Sequence, residues 1–310
     1  MPPLDAIVLS AGSASRFGIP KFLLPAGKGH VLLTRVLEQA LRVADGRIAV
    51  VVGREAKVAR YAVKNWLAAQ PGNPGSRVVT VINRYYWRGQ SSSLKVGVRT
   101  LNDSEGVLVL LADMPLLAPE KLAQQARAIR SRGSQTLAVA AAEMGQIRPP
   151  VFLSRPLFPE VLKLRGDLGA RALLKAHREA VLLVEWGSGP WFLDVDDWQT
   201  YRTVAQSMNW DREAFVPPRR QTIPVSVACA KIDKALASPI VPWLAPGILL
   251  LPSNSESLWL WLSRSYRGVR SLVVGPAQTP AAYLELIQRA TLAVLANETD
   301  SPGDGRDLGA

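Results

Sequence analysis

The sequence predicts an α/β fold built on a doubly wound, mostly parallel sheet, with a small α/β module following it. Three observations predict this. Apolar runs of strand length alternate with amphipathic stretches of helical period from the N-terminus onward. The apolar share, 48% of residues, is ample for a core. A length of 310 residues exceeds the usual single domain, so one large domain plus a smaller one is expected.

Residues 6–9 (AIVL) have the composition of a buried parallel strand. The run stops at Ser10-Ala11-Gly12, and the next residues hold Ser13, Ser15, Gly18 and the cations Arg16 and Lys21. Small residues let a backbone approach a ligand closely, and successive N–H groups in such a turn make a cavity for anions. The spacing is neither a Walker A loop nor GxGxxG. By itself the stretch is read equally well as a polyphosphate site or as a plain strand-to-helix connection.

Residues 31–43 place Leu32, Val36, Leu37, Ala40 and Leu41 on one helical face. Residues 47–53 form a second strand, 56–69 a second helix and 78–82 a third strand, with Pro71-Gly72-Asn73-Pro74-Gly75 as an exposed loop between the last two. This alternation puts ligands at the carboxyl ends of the strands. In residues 83–97 (NRYYWRGQSSSLKVG), Ser91, Ser92 and Ser93 open a helix. They either offer hydroxyls and amides to an anionic or polar ligand or serve as a cap.

Residues 106–111 (GVLVLL) form a fourth buried strand, ending in Ala112-Asp113-Met114-Pro115. A carboxylate beside a triphosphate repels it unless a cation lies between, so Asp113 reads as a Mg²⁺ ligand. The alternative is an N-cap for the helix opening near Pro119. Residues 135–142 give a further strand, and 157–164 lead into Gly166-Asp167-Leu168-Gly169-Ala170-Arg171. Asp167 and Arg171 also fit a cap and an i,i+4 pair on a helix.

A net charge of +12 and a pI near 10.2 suit acidic partners. The cations are spread along the chain rather than gathered on one basic helix with interleaved aromatics, which argues against nucleic acid. The single cysteine, Cys229, excludes an internal disulfide and a Cys-rich zinc site, and points to a reducing compartment. No signal-peptide pattern opens the chain, and prolines and polar residues break its most apolar stretch, 239–261. A cytoplasmic protein without a membrane span is expected.

Several ordered segments carry a resemblance. Leu9-Ser10-Ala11-Gly12-Ser13-Ala14-Ser15-Arg16-Phe17-Gly18 followed by Lys21 resembles the LxAGxSxRxGxxK signature of the MobA-like nucleotidyltransferases. Within that group the chain is most similar to the molybdenum cofactor cytidylyltransferases. Ser92 and Ser93 match their G-(M/Q)-x-S-S-L segment, Asp113 their (G/A)-D-x-P aspartate, and residues 166–174 their G-D-x-G-A-R-x-L-L. Residues 191–201 (WFLDVDDWQTY) align with D-(I/V)-D-T-P-E-D-Y, whose second aspartate falls on Asp196, with Asp194 as the reserve ligand. The chain departs from the family at Arg148 and Pro149, within R-G-(N/H)-P-V-L, and at Asp197 to Thr200. The resemblance covers about residues 4–205.

It implies a Rossmann-like sheet of the nucleotide-diphospho-sugar transferase type and transfer of NMP from an NTP, CTP being favoured, to a phosphorylated pterin, with release of pyrophosphate. In the roles it implies, Asp113 and Asp196 hold Mg²⁺, while Lys21 and Arg16 neutralise the phosphates. Leu9, Ala11, Gly12 and Ser13 line the nucleotide site, with Ser92 and Ser93 at the base or ribose. Arg148, Asp167 and Arg171 meet the acceptor. A phosphate monoester, with its second pKa at ~6, needs no general base. Consistent with that, the two histidines, His30 and His177, fall outside every motif. The alternatives are a sugar- or alcohol-phosphate nucleotidyltransferase, or a non-catalytic molybdenum cofactor carrier whose small module docks an apo-molybdoenzyme.

The expected division is a transferase domain over 1–208, a linker over 209–221, a small α/β module over 222–296 and a disordered tail from 297. Within the module, residues 257–265 read as an aromatic-rich helix carrying Trp259 and Trp261, with core the plainer role for both.

Overall fold

The computed structural model describes residues 2–10, 21–27, 29–53, 56–167, 169–210, 243–245, 248–253, 256–261 and 275–276. The chain divides into two compact units, Met1–Thr200 and Tyr201–Ala310. The chain order is β1 (Asp5–Ser10), α1 (Leu32–Val43), β2 (Ile48–Val52), α2 (Ala56–Ala68), β3 (Val78–Ile82), α3 (Gln90–Thr100), β4 (Gly106–Leu111), α4 (Pro119–Ser131), β5 (Ala138–Glu143), β6 (Gln146–Ser154), α5 (Phe158–Val161), α6 (Ala170–Ala176), β7 (Val181–Glu185) and α7 (Trp198–Ser207).

The first unit holds a sheet of seven strands in the order β3-β2-β1-β4-β6-β5-β7. All neighbours run parallel except at β6, which is antiparallel to both β4 and β5. The mostly parallel, doubly wound expectation is met. β2 is apolar throughout and β1 is apolar between its end residues Asp5 and Ser10, and both strands are buried at every residue. Edge strand β3 is covered less, and Val79 and Ile82 are exposed.

One face of the sheet (Ile7, Leu9, Ala49, Val51, Val107, Val109) packs on Leu94 and Val98 of α3, Phe158 and Val161 of α5, and Leu173 and Leu174 of α6. Each such side chain contributes about 1.5–3 kcal/mol when fully buried. α1 packs against β1, β2 and β4 and against α2 and α4, which makes up the other layer.

The strand order reverses between β1 and β4. Chain leaving β1 leads through α1 to β2 on one side, while chain leaving β4 leads through α4 to β5 on the other. Connections therefore diverge at the carboxyl ends of β1 and β4 and leave a crevice there. The segment after β1, with Lys21, and the segment after β4, with Asp113, both open onto that crevice.

The second unit contains an antiparallel sheet of β8 (Trp243–Ala245), β9 (Ile248–Ser253), β10 (Glu256–Trp261) and β11 (Gly275–Pro276), ordered β11-β10-β9-β8. This corrects the expected aromatic-rich helix: Trp259 and Trp261 belong to strand β10. A short apolar run satisfies both periods, and its pairing with β9 along six positions decides for the strand. The expected linker beyond Trp210 and the expected tail lie outside the described residues. Among the described residues no helix is long and apolar enough to cross a membrane.

Candidate active site

Two local features deliver carboxylates to the crevice. After β4, the amide of Ala112 donates to the Leu9 carbonyl at 3.0 Å, and that of Met114 donates to the Leu111 carbonyl at 3.1 Å. Buried Ala112 and Met114 thus pin the turn, and Asp113 stands at the sheet's carboxyl edge. Far along the chain, Val195 is fully buried and its amide donates to the Asp113 carbonyl at 2.9 Å. That bond brings Asp194 and Asp196, which flank Val195, to the same place.

Lys21 enters from a 3-10 turn, Lys21–Leu23, anchored by buried Phe22 and Leu23. Its Nζ lies 2.7 Å from Asp113 Oδ2 and 2.6 Å from Asp196 Oδ1. Residues 92 and 175 positions apart from Lys21 therefore share one ammonium. Burial opposes the charge on Lys21, yet the attraction and hydrogen bonds of Asp113 and Asp196 win and raise its pKa. Desolvation pushes the Asp194 carboxyl up to about 6, with Asp113 and Asp196 adding repulsion and Lys21 and Arg148 opposing it. Part of the Asp194 surface still meets solvent.

The other oxygen of Asp113, Oδ1, is buried with no hydrogen-bond partner among the described residues. A buried carboxylate oxygen left without a donor is costly, and it fits a cation that is not a protein group. Among the described residues no group of three or more His, Cys, Asp or Glu side chains could hold an ion unaided. Two carboxylates suit Mg²⁺ nonetheless, because that ion usually takes one or two and fills its octahedron with phosphate and water. The capping alternative for Asp113 falls away, since Ala118 is the N-cap residue of α4.

The remaining expected residues divide. Leu9 is buried in the core, and its carbonyl is spent on Ala112. Ala11, Gly12, Ser13 and Arg16 lie outside the described residues. Ser92 and Ser93 both accept from Asn83 Nδ2, at 2.8 and 2.9 Å, and Ser92 Oγ lies within donating distance of the Tyr85 and Gly89 carbonyls.

The opening of α3 as an anion site needs correction. Its first amides are taken: Gln90 N–H by Asp167 Oδ1 at 3.3 Å, Ser91 N–H by the Gly166 carbonyl at 3.2 Å and Ser92 N–H by that of Gly89 at 3.1 Å. Asp167 is thus a cap, but of α3, 77 residues away, rather than of the helix that comes after it. Gly169 is the N-cap residue of α6 and brings no side-chain bond. Arg171 is exposed, and no ion pair joins it to Asp167 among the described residues.

Arg148 is paired with Glu143 across the β5–β6 hairpin, through Nε at 3.2 Å and Nη2 at 2.8 Å. It remains close enough to Asp194 to lower that group's pKa. His30 packs against Trp66 near Glu38, and His177 pairs with Glu160, so neither joins the crevice.

Sequence reasoning missed Asn83 and Glu143. A polar residue directly after an apolar strand was the signal for Asn83, since it stands at the carboxyl edge and its amide donates to the Val52 carbonyl. Glu143 carried no signal until the hairpin register was known.

The family model for the MobA-like NTP transferase domain matches residues 6–181, more than half of the chain. The chain belongs to the MobA-like NTP transferase family. It is similar to the purine catabolism protein PucB of Bacillus subtilis, with 30% identity over 213 residues, covering 67% of this chain and 98% of PucB. Among solved structures it resembles Rv0371c of Mycobacterium tuberculosis, at 26% identity and TM-score 0.53, covering 66% of this chain and 98% of Rv0371c. That protein has also been solved as a complex with manganese. A nucleotidyl transferase of Methanothermobacter, Mth528, shares the fold at 20% identity and TM-score 0.53, covering 67% of this chain and 98% of its own. The shared fold accounts for the seven-stranded sheet, and membership of the family makes the chain an NTP transferase by class.

Proposed function

We propose that this chain transfers CMP from CTP to a phosphorylated pterin, the molybdenum cofactor, and releases pyrophosphate. The observation that carries the reading is the convergence of Asp113 and Asp196 on the Lys21 ammonium at 2.7 and 2.6 Å. The residues fit a divalent ion: two carboxylates meet at the crevice, and Asp113 Oδ1 is buried without a donor among the described residues. Asp113 and Asp196 are the side chains that would hold it, and when bound it would neutralise phosphoryl charge and polarise the phosphate.

In the reaction an acceptor phosphate oxygen forms a bond to the α-phosphorus while the bond to the β-phosphate oxygen breaks. The acceptor is already largely ionised at neutral pH, so no protein base is required. Lys21 supplies positive charge where pyrophosphate develops, and the buried turn beneath it fixes that charge before the substrate arrives. Arg16 and the amides of Ala11 to Ser13 keep the phosphate roles read from the sequence. We assign the anionic acceptor to Arg148, and its pairing with Glu143 beside Asp194 supports that role.

Pyrophosphate release tests this, with CTP, GTP, ATP or UTP, Mg²⁺ or Mn²⁺, and the molybdenum cofactor as acceptor. Turnover with CTP is expected. Turnover only with a sugar phosphate or alcohol phosphate would reassign the acceptor, and binding of the cofactor without turnover would favour a carrier.

A further inference from the structure

The loop leaving β3 carries Tyr85 and Trp87, 54% and 63% exposed, the two large aromatic side chains most open to solvent among the described residues. By contrast, Trp66 and Trp186 are buried. This loop is also fixed on both sides. Asn83 Nδ2 donates to Ser92 and Ser93, Asn83 Oδ1 accepts from the Tyr85 amide at 2.9 Å, and Ser92 Oγ is within 2.9 Å of the Tyr85 carbonyl. The Arg88 amide donates to the same carbonyl at 2.9 Å.

The rings form an edge-to-face cluster. Trp87 meets Tyr85 edge-on at 5.6 Å and Tyr86 edge-on at 5.4 Å, and the Arg88 guanidinium lies 4.7 Å above the Tyr85 ring. Neither Arg84 nor Arg88 pairs with a carboxylate among the described residues. Rigid, exposed aromatics with unneutralised guanidinium groups suit a flat ligand that is also anionic.

Position narrows the ligand. The loop stands at the carboxyl edge, where Lys21 and Asp113 also stand. Strand spacing of ~4.8 Å sets β3 about 10 Å from β1 and about 14 Å from β4. One molecule with a ring at one end and phosphate at the other spans that interval.

We infer that Tyr85, Trp87 and Arg88 form a stacking site for a planar nitrogen heteroaromatic ring whose attached phosphate lies at Lys21. This rests on the transferase reading above and gives that site its ring-binding end. The serines of α3 then act by holding the loop, not by touching the ligand. The ring belongs either to the nucleotide or to the acceptor.

Binding to the full-length protein separates these sources. Wild type, Trp87→Ala and Trp87→Phe are titrated by calorimetry with CTP, GTP, a phosphorylated pterin and ringless tripolyphosphate, with folding checked by circular dichroism. Trp87→Ala is expected to bind the ring-bearing source about 5- to 150-fold more weakly, the range for loss of one base–aromatic stack. Trp87→Phe retains most of the affinity, and tripolyphosphate binds all three alike. A loss confined to the nucleotides assigns the base to this face; a loss confined to the pterin assigns the acceptor. Equal binding of every ring by wild type and Trp87→Ala overturns the inference, as does failure of wild type to bind any ring-bearing probe. Wild-type turnover measured alongside keeps the two readings apart: turnover with an inert Trp87→Ala defeats the stacking site alone, and no turnover defeats the transferase reading.

Discussion

The amide of Val195 donates to the carbonyl of Asp113 at 2.9 Å, joining two segments that are 82 positions apart in sequence. The bond is made by backbone, so it fixes the place where the chains cross irrespective of the side chains beside it. Asp196 and Asp113 then reach the same ammonium because Val195 is buried between them and the solvent side is left for carboxylates.

Lys21→Ala and Asp113→Asn should each lower kcat for pyrophosphate release by about 10²–10³, the usual cost of removing one pre-aimed charge or donor. Both variants should stay folded, since Lys21 and Asp113 are not core side chains. Steady-state kinetics with circular dichroism as control checks this. Near-normal turnover in either would remove the residue from the proposed chemistry.

Gly89→Ala should destabilise the protein more than Gly29→Ala does. Both glycines have left-handed backbone, at φ of +91° and +73°. Only at Gly89 would the added Cβ also meet the Gly166 backbone, at 2.4 Å, whereas nothing lies within 4 Å at Gly29. A strain of about 1–3 kcal/mol corresponds to a Tm lower by about 2–12 °C in a domain of this size. Differential scanning fluorimetry of the pair isolates the contact between the start of α3 and the turn at 166–167.

His30 gives a pH dependence with a defined sign. Desolvation, then the Arg35 charge, holds its pKa below the ordinary 6.5, against Glu38 and a hydrogen bond with Thr34. The unfolded chain therefore binds the proton more readily. The stability that His30 contributes is complete above pH 6.5 and is lost as pH falls through the lower folded value. His30→Phe should flatten the decline in Tm on going from pH 7 to pH 5. An unchanged slope would assign the decline to other groups.

The sheet was legible because the middles of its central strands are apolar, and burial on both faces demands that. The apolar runs at 78–82 and 106–111 coincide with β3 and β4 to the residue. The meeting of Lys21, Asp113 and Asp196 was legible from ordered motifs, each tied to a strand end. The partners of α3 were not: which group takes the amides of Gln90 and Ser91 depends on a turn some 75 residues later, and no local pattern records that. The pairing of Arg148 was hidden for the same reason, because its carboxylate partner is fixed by hairpin register rather than by motif. In the second unit, six apolar and polar residues carry no period long enough to separate strand from helix, so the element holding Trp259 was not legible.

Electron paramagnetic resonance of Mn²⁺ with CTP tests the central claim most directly, because it reads the metal–nucleotide complex without requiring the acceptor. Wild type should bind Mn²⁺–CTP and broaden the metal's signal, and the Asp113→Asn, Asp196→Asn double variant should fail to do so at the same concentrations. If the double variant binds as tightly as wild type, these aspartates do not hold the nucleotide's metal, and the proposed site is wrong.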